Sequence, residues 1–134
     1  MTGLDTNVLV RYLTQDDPRQ AAIATRVIED AATKEEKLFL HPLVFCELIW
    51  VLQSAYGFPK ADILKVLERI LRTAEFEIFE KDLLWLALAD YRSGKGDFSD
   101  YYLARANERA GAKVTLSFDT ALKGEPRFQI LTSS

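Results

Sequence analysis

Apolar residues recur along this chain with two different periods. Leu38 to Leu40 are apolar throughout, and Phe76 to Phe79 alternate apolar and charged, which predicts short strands. Between and after them, apolar side chains return every three to four positions, the period of an amphipathic helix. Residues 1–4 predict a strand ending at Asp5, and VLVRYLT predicts the start of a helix. Asp17-Pro18 supplies an N-cap and a first-turn proline for a helix to about Ala32, with Ala24, Val27, Ile28 and Ala31 on its inner face. A helix after Pro42 closes near Tyr56-Gly57, where glycine suits a C-terminal cap. Phe58-Pro59 opens another, with Ile63, Leu67, Ile70 and Leu71 at helical spacing.

The second half repeats the alternation. Lys81 to Tyr91 predicts a helix with Leu84, Leu88 and Tyr91 in register, followed by a flexible break at Ser93-Gly94-Lys95-Gly96. Ser99 is read as the cap of a helix to about Ala110, stopped by Gly111. Lys113 to Phe118 predicts a strand, Asp119 to Gly124 a turn or short helix, and Phe128 to Leu131 a last strand. Strands alternating with helices imply a mainly parallel central sheet covered on both faces. The expected fold is a three-layer α/β/α sandwich, one domain over residues 1–134.

Length and composition agree with one folded core. The chain has 134 residues, 49% apolar and 28% charged, which argues against disorder. Its net charge of −3 gives no basic excess to attract nucleic acid or an anionic membrane, so such binding needs a local patch or bound cations. One cysteine excludes an internal disulfide, and with one histidine it leaves too few soft ligands for a zinc site. No targeting segment or membrane-spanning run is visible, and the expected location is cytoplasmic.

Acidic residues fall where this fold would use them. In open α/β sheets ligands bind beyond the carboxyl ends of the strands. LDTN ends the first strand, GDFSD opens a helix and SFD ends a later strand. The stretch LVFCELIWVL, residues 43–52, sets Glu47 among nine apolar side chains, where an unpaired carboxylate is costly to bury. Carboxylates meeting on one rim repel each other unless cations lie between them. Oxygen donors alone, with Thr6 or Asn7 as helpers, suit Mg²⁺ or Mn²⁺, whose usual work is phosphoryl or phosphodiester chemistry.

LDTNVLVRYL, ELIWVL, GDFSDYYLARANERAG and VTLSFDTAL, in that order, resemble the PIN-domain family over nearly the whole chain, and within it the VapC-type toxins of toxin–antitoxin pairs. The resemblance implies a metal-dependent endoribonuclease, a homodimer held inactive by a small cognate antitoxin, acting on RNA such as tRNA. It marks Asp5, Glu47, Asp100 and Asp119 as catalytic, metal-binding carboxylates, with Asn7, Asp97 and Ser117 in support. Tyr101 stands where the family usually has alanine.

Plainer readings stand beside these. Asp5, Asp100 and Asp119 are also the residues expected of caps and turns, and Glu47 suits a salt bridge or an exposed helix wedge. His41 reads as structural, Cys46 as a small buried hydrophobe, and Trp50 and Trp85 as core or interface. Arg11, Lys95, Arg105 and Lys123 are phosphate contacts or ordinary surface charges. The apolar stripe from Ala61 to Thr73 is either core or a docking face. An acid-site phosphatase and a non-catalytic binding module remain alternatives. The phosphatase would favour an acid two residues after Asp5, where the chain has Asn7.

Overall fold

Strand β1 (Thr2–Gly3) pairs in parallel with β2 (Leu38–Leu40), and β2 with β3 (Phe76–Ile78), giving the order β1-β2-β3. The computed structural model describes residues 1–132. These fall into two compact units, Met1–Glu80 and the residues from Lys81 onward.

In the first unit the strands are linked by helices α1 (Thr6–Thr14), α2 (Pro18–Thr33), α3 (Pro42–Ser54) and α4 (Lys60–Leu71). Helix α1 packs on α2 and α3, while α4 packs on α3 and β3. Local capping chemistry sets the starts. Asp17 accepts from the Gln20 N–H at 3.1 Å, with Pro18 in the first turn. His41 Nδ1 accepts from the Leu43 N–H at 3.0 Å, and its ring stacks on Phe79, a structural role as the sequence suggests. Gly57 takes φ +66 behind α3, where any side chain would be strained.

Two details differ from the expected pattern. The inner face of α2 is Ala21, Ala24, Ile28 and Ala31, while Val27 lies 37% exposed. With Ala21 on the face, its centre rotates away from position 27. The stripe of α4 buries Ile63, Leu67, Ile70 and Leu71 in the core, with Leu64 and Val66 only half-buried, so this helix is mainly a core element.

The second unit holds α5 (Lys81–Ser93) against α6 (Phe98–Arg109), and a parallel pair of β4 (Thr115–Ser117) and β5 (Phe128–Ile130). Leu84, Leu88 and Tyr91 are buried as their spacing requires. Strand β4 is shorter than the run 113–118, because only Thr115 to Ser117 find partners on β5. The cap of α6 is Asp97, not Ser99: Phe98 is buried in the first turn, and the Asp100 carboxylate closes back on the Asp97 N–H at 3.0 Å. The Ser93–Gly96 segment is a fitted turn rather than a flexible break, for Gly94 and Gly96 both pack against Tyr101. No described helix is long and apolar enough to cross a membrane.

Candidate functional site

Asp5 and Glu47 border one cleft in the first unit. Beyond β1 the chain stays tied to β2 through Leu4 N–H and Phe39 O at 3.0 Å. Asp5 follows as the N-cap of α1, its Oδ1 accepting from the Thr6 N–H at 2.8 Å. Thr6 is 5% exposed, the one buried polar residue among those described. Its Oγ1 donates to Glu47 Oε1 at 3.0 Å, joining the start of α1 to the middle of α3. Asp5, Thr6, Asn7, Cys46, Glu47 and Trp50 line a cleft of about 460 Å³.

Glu47 is exposed, facing outward from its apolar neighbours rather than lying buried among them. Helix α3 gives Val44, Phe45, Leu48, Ile49 and Leu52 to the core, and Leu43, Glu47 and Trp50 face outward. The run is apolar nearly all round, so the sequence carries no phase to say which side is buried. Trp50 is likewise no core residue, being 69% exposed. Cys46 is half-buried, and burial, reinforced by the Glu47 carboxylate, pushes its thiol up. A thiol so placed is a poor nucleophile.

In the second unit, Asp97 and Asp100 sit at the start of α6. Burial pushes the Asp100 carboxyl above the usual range, the Asp97 and Asp119 carboxylates add to this, and the bond from the Asp97 N–H opposes it. Asp119 caps the short turn Thr120–Leu122, its Oδ1 accepting from the Ala121 N–H at 2.9 Å. Ser117 supports it through the backbone, its Oγ accepting from the Asp119 N–H at 3.0 Å.

Asp5, Glu47, Asp100 and Asp119 thus share a trait. One oxygen of each is engaged by a cap, a backbone N–H or Thr6, and the other carries no hydrogen bond among the described residues. Capping and ligand binding are therefore compatible at each position. Among the described residues no group of three or more His, Cys, Asp or Glu side chains is arranged to hold a metal ion.

The basic candidates divide. Arg105 is held by Asp90 through two bonds at 2.8 and 2.9 Å, and Arg11 by Gln20 at 2.7 Å and Asp16 at 3.3 Å. Lys95 and Lys123 are exposed. The Thr6 hydroxyl as the holder of Glu47, and Tyr101, Gly94, Gly96 and Glu125 as a linked group, were not apparent from the sequence. The two glycines shortly before α6 were the available signal.

Residues 4–124 match the PIN domain family. The chain belongs to that family. Its parallel strands and intervening helices accord with the α/β/α architecture expected from the alternation. It is 30% identical over 123 residues to a VapC ribonuclease of Aquifex aeolicus (strain VF5), covering 92% of this chain and 90% of that protein.

Proposed function

We propose that this PIN domain is a metal-dependent endoribonuclease, the toxin of a toxin–antitoxin pair, acting with Mg²⁺ or Mn²⁺, for which Asp5, Glu47, Asp100 and Asp119 are the candidate ligands. The observation that carries the reading is the state of those carboxylates, each oriented through one oxygen while the other remains available. Similarity to a VapC ribonuclease over most of both chains supports the choice of RNA as substrate.

The donor chemistry fits a hard cation. The candidate ligands are all oxygens, and the Asp100 carboxyl is raised chiefly by burial, with the neighbouring Asp97 and Asp119 carboxylates adding to it. Mg²⁺ is usually held by one or two carboxylates with water and substrate phosphate, so a cage of three protein ligands is not required. A bound ion would supply an activated water and offset charge on the phosphate oxygens.

The chain's own residues do the rest. Thr6 fixes the Glu47 carboxylate, Ser117 fixes the backbone at Asp119, and Asp97 holds the start of α6 beneath Asp100. Asn7 is exposed at the cleft and offers an amide donor for a phosphate oxygen. A homodimer, a cognate antitoxin and a tRNA-like substrate belong to the same proposal.

The test is cleavage of a labelled tRNA pool in EDTA, Mg²⁺ and Mn²⁺. Wild type should cut only with metal, Asp100→Asn should abolish cutting, and Asp97→Asn should retain a substantial part, because asparagine still caps the helix. Equal activity in both variants, or cutting in EDTA, would refute the assignment.

A further inference from the structure

Tyr101 is 3% exposed, and its hydroxyl has two partners from different segments. It accepts from the Gly96 N–H at 2.9 Å and donates to Glu125 Oε1 at 2.9 Å. The turn before α6 is built around this phenol. A Cβ on Gly94 would stand 1.9 Å from the Tyr101 hydroxyl oxygen, and one on Gly96 would stand 2.4 Å from Leu122 Cδ2. Leu122 is itself buried, in the short turn that Asp119 caps.

Two ties therefore join the segment carrying Asp97 and Asp100 to the segment carrying Asp119. One is packing, Gly96 on Leu122; the other is the hydrogen-bonded chain from Gly96 through Tyr101 to Glu125. The tie works against a force. Asp97, Asp100 and Asp119 carry like charges that press the two segments apart, and Asp100 feels both neighbours. An alanine at position 101 would leave the Gly96 N–H without this acceptor and Glu125 without this donor.

We propose that Tyr101 is a positioning residue, which holds the Asp97–Asp100 segment and the Asp119 turn at the separation needed for cation binding. The proposal rests on the metal-nuclease reading above. Tyr101 acts through the segments it joins and touches neither ion nor RNA. Substituents beyond the directly binding groups commonly change metal affinity by about 10–100-fold.

The full-length chain is titrated with Mn²⁺ alone, bound ion being read by electron paramagnetic resonance, with circular dichroism confirming the fold. Tyr101→Phe keeps the ring between the glycines and deletes both hydrogen bonds, and should lose at least about tenfold in Mn²⁺ affinity. Glu125→Gln should stay near wild type, because its amide oxygen still accepts from the phenol, and this separates the tie from the charge of Glu125. Hydrogen exchange at the Gly96 amide should accelerate in Tyr101→Phe and not in Glu125→Gln. If Tyr101→Phe does not fold, Glu125→Ala removes the outer tie alone and should still weaken Mn²⁺ binding. Wild-type affinity in a folded Tyr101→Phe, or in Glu125→Ala when that variant is used, overturns the proposal while leaving the nuclease reading intact. A wild-type protein that binds no Mn²⁺ overturns both.

Discussion

Thr6→Val replaces a buried hydroxyl by a methyl of similar size, and so isolates the bond to Glu47. Glu47 is exposed and water can take over as its donor, so stability should change by no more than about 1 kcal/mol. Orientation should suffer more, with metal-dependent RNA cleavage falling about tenfold. Urea titration and a cleavage assay check the two halves, and undiminished cleavage would dismiss Thr6 as a determinant. Asp100 permits a test by pH. Its carboxyl is raised in the folded state, so its stabilising contribution is present below the unfolded value near 3.8 and is lost as pH rises through the higher folded value. Asp100→Asn cannot ionise, and its Oδ can still accept from the Asp97 N–H. In EDTA the variant should therefore match wild type at low pH and become the more stable protein above the carboxylate range. The gain should be below about 1 kcal/mol, because Asp100 remains largely solvated. Asp16, lowered chiefly by the Tyr56 hydroxyl, and Asp82, lowered chiefly by Arg109, act in the opposite sense but are common to both proteins. A difference that is flat with pH would mean that neither burial nor the neighbouring carboxylates raise the Asp100 carboxyl.

At the scale of elements, what the sequence made legible was whatever is decided locally. Asp17-Pro18 marks the start of α2 because a cap and a fixed φ act within one turn. Leu38–Leu40 emerges with the expected bounds as a short apolar run between polar stretches. Misses occurred where distant residues decide. The α3 run has too few polar residues to fix its buried side, so the outward turn of Glu47 toward the cleft could not be read from its neighbours. Ser99 and Asp97 are both good caps by type, and the choice follows from burying Phe98 and closing Asp100 onto Asp97. The family resemblance nominated the candidate acids, but their shared use of one oxygen was not legible, since Thr6 and Glu47 lie 41 positions apart.

For the molecule as a whole, the net charge of −3 opposes approach of a polyanion. Divalent cations would answer that opposition and should also favour the folded state. A ligand bound only to the native protein adds RT ln(1 + [L]/Kd), roughly 2.7 kcal/mol at a hundredfold excess over Kd. Thermal melts in EDTA and in rising Mn²⁺ should show an upward, saturable shift in wild type, and a smaller one in Asp5→Asn, where the cap survives but the charge of a proposed ligand is gone. A wild-type melting temperature indifferent to Mn²⁺ would remove the main physical support for metal-dependent catalysis. The family match over residues 4–124 spans parts of both units, so such measurements belong on the intact chain.

The fit of Gly94 against the Tyr101 hydroxyl has a consequence for how this sequence can drift. Neither position is independent of the other. Gly94→Ala should destabilise the present protein by about 1–3 kcal/mol, because the added methyl has no space beside the phenol. In a Tyr101→Ala background the phenol is gone, although the backbone oxygen of Asp90 still lies 2.9 Å from the new methyl, and the same substitution should cost less. A double-mutant cycle by urea unfolding measures the difference directly. A tyrosine at 101 should therefore hold position 94 to glycine, while an alanine at 101 would relax that constraint. A phenol at one site thus acts as a historical ratchet on its neighbour.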